Sequence, residues 1–397
     1  MKIQNGGIAL MLLAGFTLAG CGGGNSGAPT VDTCSGVTSK WALWSGNTCL
    51  RGANVWQRTN IPAIYGSILG TGLIGPHFPQ TDFNNLAALG ANVVFISHPG
   101  LYYETPPYAP NPDAQTNLDS LLTMVQNANM YAVISFRTGP GRSEEDISPQ
   151  ATLPAINSVW TTPAEQTAWV DMWKYTAGRY KNNPVVVGYD LMVEPHFNSP
   201  LPLTSDWNAL AKNITNAVRA VDGNTPILIG GMNYSAAFAL AALTPTGDSK
   251  TVYTVHQYDP TPYTLQPSVG LLTYGTSLAD TYTRLDLLTI FSDVATFKSS
   301  HVGVPVGVSE FGVKRFQPGV VQFLDDEMGI MENNGLNYSI WDWETTDPAY
   351  ASVNSYDAFN FRRGINPAAH LDFPNELTTV VQKYFQKNTA RPSNRGY

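Results

Sequence analysis

Two glutamates close apolar runs of the sequence and could act together as a catalytic pair. Glu194 follows the run Val185–Val193, and Glu310 follows the run Val304–Ser309. Cleavage of a glycosidic bond requires two such carboxyl groups, one neutral to protonate the departing oxygen and one ionised to attack the anomeric carbon. The environments of the two groups must then move their pKa values apart.

Polar and aromatic side chains close two further runs and complete a candidate site. His256 and Tyr258 end the run Thr251–Tyr258, and Trp341 ends the run Leu336–Trp341. We expect the hydroxyl of Tyr258 to donate to the ionised glutamate and the indole of Trp341 to offer a flat apolar surface to a sugar ring. The alternatives are that His256 and Tyr258 are satisfied core residues and that Trp341 only packs the last strand.

These side chains need a scaffold that gathers strand ends, and the sequence predicts one. Short apolar runs, each followed by a loop and a helical pattern, occur at Gly52–Trp56, Ala91–Ser97, Tyr131–Phe136, Val185–Val193, Pro226–Gly231, Thr251–Tyr258, Val304–Ser309 and Leu336–Trp341. Most are continuous rather than alternating, as in parallel strands buried on both faces. The alternation predicts an α/β fold, a single (β/α)8 TIM barrel, whose catalytic groups lie at the C-terminal strand ends.

The helical patterns between the runs carry their own start signals. Thr162-Pro163 starts one that ends before Pro184, Asn117 is expected to cap another that reaches Ala128, and the remaining patterns cover Asp206–Val221, Ser277–Ser299, Gly319–Asn333 and Asn375–Gln386. A doubly wound sheet is the alternative fold, but the turn after the first run lacks the glycines that bind a dinucleotide phosphate.

Composition excludes several classes of protein. The chain of 397 residues is 43% hydrophobic and carries a formal net charge of −8, which excludes disorder. It has 22 basic and 30 acidic residues, and therefore no excess of positive charge for binding the phosphates of a nucleic acid. The six histidines show no metal-ligand spacing, and there is no phosphate-binding loop or Gly-x-Ser-x-Gly elbow. We expect no cofactor, no metal, no nucleic-acid partner and a monomer.

The first residues predict export. Lys2 and the apolar run Ile8–Leu18 form a signal too short to span a bilayer. Leu18-Ala19-Gly20-Cys21 resembles the bacterial lipoprotein signal, which implies cleavage after residue 20 and a lipid on Cys21. Gly22 follows, so the resemblance implies the outer membrane, with residues 21–33 as a flexible tether. An ordinary cleaved signal with a chance cysteine is the alternative.

Two further cysteines define an N-terminal segment ahead of the barrel. In an oxidising compartment Cys34 and Cys49 are expected to form a disulfide that closes the segment 34–50, the alternative being two buried free thiols. With Trp41 and Trp44, this segment is expected to cap one end of the barrel, which is predicted to cover residues 51–390.

Together the strand-end motifs resemble glycoside hydrolase family 5 and its wider clan A. The resemblance covers about residues 50–387 and is carried by Leu50-Arg51-Gly52-Ala53-Asn54, Glu194-Pro195, His256-Gln257-Tyr258, Glu310-Phe311-Gly312 and Trp341. It implies that Glu194 is the acid/base and Glu310 the nucleophile. It also implies that His256 and Tyr258 contact substrate and nucleophile, that Trp341 stacks on the sugar in subsite −1, and that configuration is retained, with carboxyl groups about 5–5.5 Å apart.

Three positions depart from the family pattern. Val193 stands where the family has an Asn that bonds the sugar 2-hydroxyl, and the second and third runs end at His98 and Arg137 in place of an Arg and a His. Arg137 or Arg142 is expected to supply the missing positive charge beside the nucleophile, the alternative being surface loop arginines. His98 either replaces a substrate contact or caps the second strand.

The sequence thus predicts a lipid-anchored retaining glycosidase. Long loops after the first, second, third and sixth strands are expected to wall a cleft for an oligo- or polysaccharide, with Tyr102 as the preferred stacking residue among Trp56, Tyr65, Tyr102, Tyr103, Tyr108, Tyr234 and Tyr263. The alternatives are a glycan-binding lipoprotein without catalysis and a transglycosylase. The roles of Asp190 and Asp342 stay open.

Overall fold

The apolar runs of the sequence become the wall of a barrel. The computed structural model describes residues 34–60, 74–75, 77–147, 155–197, 206–267, 269–277, 279–346, 358–368 and 373–395. The predicted signal, Cys21, the whole predicted tether and the candidate stacking residue Tyr65 lie outside these ranges. Thr33–Tyr397 form one compact unit, and no helix among the described residues is both long and apolar enough to cross a membrane.

Eight parallel strands close on themselves and confirm the predicted TIM barrel. They are β1 (Arg51–Trp56), β2 (Val93–His98), β3 (Tyr131–Phe136), β4 (Val186–Asp190), β5 (Ile227–Gly230), β6 (Thr251–Gln257), β7 (Val306–Phe311) and β8 (Asn337–Ile340). Each pairs with its sequence neighbours, and β8 pairs with β1. A short antiparallel ribbon, Arg58–Thr59 with Ile74–Gly75, stands outside the barrel.

Helices surround the barrel and bury their apolar stripes against it. Among the described residues they are α1 (Gln80–Ala88), α2 (Pro112–Asn127), α3 (Glu144–Ile147), α4 (Pro163–Tyr180), α5 (Trp207–Arg219), α6 (Thr261–Thr264), α7 (Arg284–Ser300), α8 (Val320–Asn333) and α9 (Glu376–Phe385). Short 3-10 helices lie at Trp41–Leu43, Ser158–Trp160, Ala237–Ala242, Phe361–Arg363 and Pro392–Asn394. The long α4 buries Trp169, Met172 and Trp173 completely, as its sequence pattern predicts.

Three predicted boundaries are wrong for identifiable reasons. Helix α7 starts at Arg284 rather than at Ser277, because Thr283 and Asp286 form a capping box there. Helix α2 starts five residues before the predicted cap Asn117, because Asn111 accepts hydrogen bonds from the backbone N–H of Asp113 and Ala114 and Pro112 occupies the first helical position. Strand β4 ends at Asp190 rather than at Val193. The backbone N–H groups of Leu191 and Val193 still donate to carbonyls of the neighbouring strands, and the carbonyls of residues 193 and 194 then face a neighbouring loop.

The N-terminal segment caps the barrel at the N-terminal ends of the strands. Cys34 and Cys49 form the predicted disulfide, with their Cα atoms 5.3 Å apart. The indole of Trp44 is buried, donates to the carbonyl of Val187 at 2.9 Å and packs edge-on against Phe95. The segment thus supplies the apolar plug that fills this end of the barrel, and the chemistry is left to the opposite end.

Candidate active site

The irregular pairing of β6 with β7 brings two predicted site residues together. The register shifts between Val255 and His256, so that His256 comes to lie beside Glu310. Nδ1 of His256 is 3.3 Å from Oε2 of Glu310 and 3.1 Å from Oε1 of Glu194. One ring nitrogen therefore faces both carboxylates, and the strand ends converge as the barrel fold requires.

Tyr258, the residue after β6, holds the second carboxylate from another side. Its hydroxyl donates to Oε2 of Glu310 at 2.8 Å. The backbone carbonyl of Tyr258 accepts a hydrogen bond from the hydroxyl of Thr264 in helix α6, which fixes the tyrosine at the mouth of the barrel. Glu310 is 4% exposed, so the Tyr258 hydroxyl and Nδ1 of His256 act on a carboxylate that has almost no contact with bulk water.

Glu194 sits on backbone that has left the sheet and turned. Its φ of 51° is in the left-handed region, which costs an L-residue about 1–2 kcal/mol. Buried Arg142 donates to the carbonyl oxygens of both Val193 and Glu194, at 2.6 and 2.8 Å. These bonds satisfy carbonyls that the early end of β4 has removed from the sheet. Arg142, one of the two arginines proposed to stand beside the nucleophile, thus contacts the backbone of the other glutamate.

The two carboxylates have opposed electrostatic environments. Burial raises the pKa of Glu310 to about 7, and the charge of Glu194 raises it too, against the lowering effect of His256, Arg137 and the Tyr258 hydroxyl. Burial also raises the pKa of Glu194, but the hydrogen bond and charge of His256 and the charges of Arg137 and Arg142 outweigh it and hold the pKa below its usual value. Two carboxylates this close titrate as a pair, so the site retains one shared proton well above pH 4.5, the ordinary value for a glutamic acid.

Arg137 lies where the sequence suggested a replacement positive charge. Its guanidinium carbon is 4.8 Å from the ring centre of Trp56 and 5.4 Å from that of Trp341, and its Nη1 donates to the hydroxyl of Ser97 at 3.3 Å. The side chain is 3% exposed and pairs with Glu144, at 3.5 Å between Nε and Oε1. A buried arginine next to aromatic faces keeps its charge and position.

Trp341 and Trp56 form an aromatic floor beside the carboxylates. Their ring centres are 5.5 Å apart at 46°, and the indole of Trp56 donates to Oε1 of Glu144 at 3.2 Å. Trp341 is 9% exposed, so only a small part of the residue is accessible to solvent. Sequence reasoning included Trp56 among the loop aromatics but missed Glu144, which fixes both Trp56 and Arg137.

The structure does not bring His98 and Tyr102 into this group. His98 is fully buried, and its ring nitrogens lie 2.6 Å from the carbonyl of Pro99 and 2.9 Å from Oδ1 of Asn117. Burial lowers the pKa of His98 to about 4, so the ring is neutral and fastens the end of β2 to helix α2. This geometry matches strand capping, the alternative to substrate contact. Tyr102 packs on Tyr175 instead, at 5.8 Å between ring centres.

The remaining acidic candidates occupy buried positions. Asp190 lies deeper in the barrel, where burial raises its pKa to about 6 while His256 and a hydrogen bond from Ser135 oppose that rise. Asp342 follows Trp341 and is 1% exposed. Val193 is also buried and presents only its backbone carbonyl to Arg142, so it cannot replace the side-chain amide of the family pattern.

Glu194, His256 and Glu310 also meet the simplest geometric condition for a cation site. One ligand atom from each lies within 4.8 Å of the others, the sole such group of three among the described residues. Nδ1 of His256 and the Tyr258 hydroxyl already face these carboxylate oxygens, however. The donors fit a carboxylate pair held by protein hydrogen bonds better than an open metal site.

Comparison with known proteins agrees with this geometry. The family model for cellulase, glycosyl hydrolase family 5, matches residues 60–347. Endoglucanase C of Acetivibrio thermocellus is 27% identical over 157 residues, 39% of this chain and 42% of that protein, so the match spans less than half of the relative. An endoglycoceramidase of Cyanea nozakii is 32% identical over 106 residues, 23% of this chain and 21% of that protein.

Solved structures share the fold. An endoglucanase of Thermotoga maritima superposes with a TM-score of 0.61 at 18% identity, over 80% of this chain and 98% of that one. An endoglucanase of Pseudomonas stutzeri gives 0.63 at 18% identity, over 86% and 95%. A (β/α)8 barrel with a carboxylate pair at its strand ends and this family match define a glycoside hydrolase. The chain belongs to glycosyl hydrolase family 5.

Proposed function

We propose that the protein hydrolyses an oligo- or polysaccharide with retention of anomeric configuration. Glu310 attacks the anomeric carbon as the glycosidic C–O bond breaks, and Glu194 gives its proton to the departing oxygen. Glu194 then takes a proton from water, whose oxygen attacks the same carbon and releases Glu310. Two inversions at one carbon restore the original configuration.

The observation that carries this proposal is the closeness of the two carboxylates. Nδ1 of His256 lies 3.1 Å from Oε1 of Glu194 and 3.3 Å from Oε2 of Glu310, and one oxygen of each carboxylate lies within 4.8 Å of the other. Inverting enzymes separate their carboxyl groups by about 6.5–9.5 Å to admit a water molecule, whereas retaining ones hold them about 5–5.5 Å apart. The short separation therefore supports direct attack by a carboxylate.

The protonation of the pair sets a further condition on this mechanism. The surroundings favour the shared proton on Glu310, whose pKa burial raises, over Glu194, whose pKa is lowered despite burial by His256 and the two arginines. The proposed roles need the opposite arrangement, Glu194 protonated and Glu310 ionised. The two arrangements carry the same total charge and differ only in which carboxyl group holds the shared proton. Activity then requires the singly protonated pair, whichever arrangement predominates in the free enzyme.

The preferred first substrates are β-glucans. Several relatives carry the name endoglucanase, and the aromatic floor of Trp56 and Trp341 suits the apolar face of a pyranose. Val193 removes one 2-hydroxyl contact, so the screen also includes mannans, xylans, galactans and arabinans. We further propose that the protein is exported and anchored in the outer membrane by a lipid on Cys21, since the signal pattern ends at that residue.

The test is release of sugar by the soluble domain from residue 34, compared with Glu310→Gln. The exposed Glu376→Gln is a matched control, because it makes the same chemical change at the start of helix α9. We expect wild type and Glu376→Gln to release sugar and Glu310→Gln to release none. Proton NMR of the first product reports its anomeric configuration, and inversion would contradict the proposal. Product sizes at high acceptor concentration separate hydrolysis from transglycosylation.

A further inference from the structure

A network of buried charges surrounds the backbone of Glu194, on the side away from His256. Arg142 is fully buried and directs its guanidinium at three oxygen atoms: the carbonyls of Val193 and Glu194 and Oδ2 of Asp146, the last at 3.0 Å from Nε. A guanidinium is planar and rigid, so its fork fixes the relative positions of the groups it bonds. Residues 193 and 194 are thereby tied to the loop after β3.

His196 completes this network from the other side of the turn. Its Nδ1 is 2.9 Å from the carbonyl oxygen of Glu194, and its Nε2 is 3.3 Å from Oδ1 of Asp146. The ring is 2% exposed and stacks on Tyr234, with centres 4.1 Å apart and planes at 18°. Asp146 thus faces both Arg142 and His196, and the carbonyl of Glu194 lies within hydrogen-bond distance of both side chains.

The conformation of Glu194 explains why so many donors meet at one carbonyl. Its left-handed φ of 51° is unfavourable for a glutamate and must be maintained by the surroundings. That same turn directs the carboxylate back to His256, at 3.1 Å. A peptide plane rotated out of this position would move the carboxyl group away from the scissile oxygen.

We propose that Arg142, Asp146 and His196 form a positioning clamp that holds Glu194 in the geometry for proton transfer. Arg142 and His196 contact the carbonyl of Glu194, Asp146 holds those two side chains, and all three act through the glutamate. The inference rests on the proposed role of Glu194 as acid/base and adds residues that the family motifs do not include. It predicts that loosening the clamp damages proton donation more than it damages attack by Glu310.

The dependence of kcat/KM on the leaving group of the substrate tests directly whether proton donation is damaged. A dinitrophenolate departs without a proton, whereas a phenolate needs one. We would measure kcat/KM, which reports glycosylation, for dinitrophenyl and phenyl glycosides of the shortest oligosaccharide that the wild type cleaves. The variants are Arg142→Lys, which keeps the charge without the fork, and His196→Leu, with His196→Asn as the conservative replacement that restores a donor near Nδ1.

We expect the clamp variants to lose activity selectively on the phenyl glycoside. For Arg142→Lys and His196→Leu, kcat/KM falls at least about tenfold on the phenyl glycoside, part of the roughly 10²–10⁴-fold that a general acid contributes, and changes less than about twofold on the dinitrophenyl glycoside. His196→Asn recovers part of the loss. Added azide, which needs no general base, raises kcat of the variants on the dinitrophenyl glycoside but not that of the wild type.

Arg219→Lys is the matched control. Arg219 also forms a fork, to Asp248 and to the carbonyls of Asp222 and Thr225, but near the N-terminal end of β5. Arg219→Lys should not change the dependence of kcat/KM on the leaving group. Equal losses on both glycosides, or no loss in Arg142→Lys and His196→Leu, would overturn the clamp. Failure of the assignment of Glu194 as acid/base looks different, because Glu194→Gln would then lose no more activity on the phenyl glycoside than on the dinitrophenyl glycoside.

Discussion

The hydroxyl of Tyr258 donates to Oε2 of Glu310 at 2.8 Å, inside a site where that carboxylate is almost completely buried. A donor at this distance stabilises the ionised form of its partner. It opposes the burial that raises the pKa of Glu310 to about 7. The tyrosine therefore helps decide how readily the proposed nucleophile loses its proton, and several predictions depend on this balance.

Tyr258→Phe should move the alkaline limb of the pH profile upward. Loss of the donor raises the pKa of Glu310 above about 7, so the singly protonated pair persists to higher pH. Hydrogen bonds to charged groups are worth about 1.5–3 kcal/mol, which corresponds to a shift of about one pH unit or more. The measurement is kcat/KM against pH. Tyr263→Phe, which loses a bond to the carbonyl of Pro318, is the control and should leave the limb unchanged.

Replacement of Arg137 should move both limbs. Its positive charge lowers the pKa of Glu194 and that of Glu310, so Arg137→Gln raises both, and the whole profile shifts to higher pH. Arg137→Lys retains a charge without the planar contact to Trp56 and Trp341 and should shift the profile less. A profile that moves at one limb only would show that Arg137 acts on one carboxylate alone.

Trp341→Ala should weaken substrate binding and reduce stability together. The substitution removes the indole proposed to face the sugar and leaves a cavity beside Trp56 and Arg137. We expect KM to rise about tenfold or more, and the free energy of unfolding to fall by up to about 3–5 kcal/mol. Trp341→Phe keeps an aromatic surface, and an equal rise in KM for both variants would argue against stacking. Chemical denaturation measures the stability of each.

Removal of the disulfide should cost stability without changing the chemistry. Cys34 and Cys49 are separated by 15 positions, a loop whose closure is worth about 3 kcal/mol in the chain-entropy model. In Cys34→Ser with Cys49→Ser, the denaturation midpoint should fall while kcat/KM at low temperature stays within about twofold. A large loss of activity in the still-folded double variant would mean that the plug influences the remote barrel mouth.

Much of the scaffold could be predicted because each strand reads as a local apolar run. Most of the eight runs agree with the structure to within two or three residues, and the catalytic candidates stand at their ends. The helix start at Asn111-Pro112 carried a clear local signal, an N-cap residue followed by proline, that the prediction overlooked.

Strand alternation could also have placed His98. The hydroxyl of Ser97 accepts from Arg137 inside the barrel, so the next side chain points to the opposite face, toward Asn117 in helix α2. The contacts of Arg142, Asp146 and His196 had no such local signal. They depend on how the loop after β3 folds against the turn after β4, and on the early end of that strand, which only tertiary structure reveals.

The segment around Trp44 fills the N-terminal end of the barrel, so the structural role of that end is separate from the catalytic role of the opposite end. One end is sealed by a covalently closed segment that bonds to the first residues of β4, and the other carries every proposed catalytic group. Engineering can exploit this division. Loops at the open end can be exchanged to seek new sugar preferences while the closed end preserves the folded scaffold, so libraries directed at residues near Tyr102 and Trp56 should contain a high proportion of soluble members.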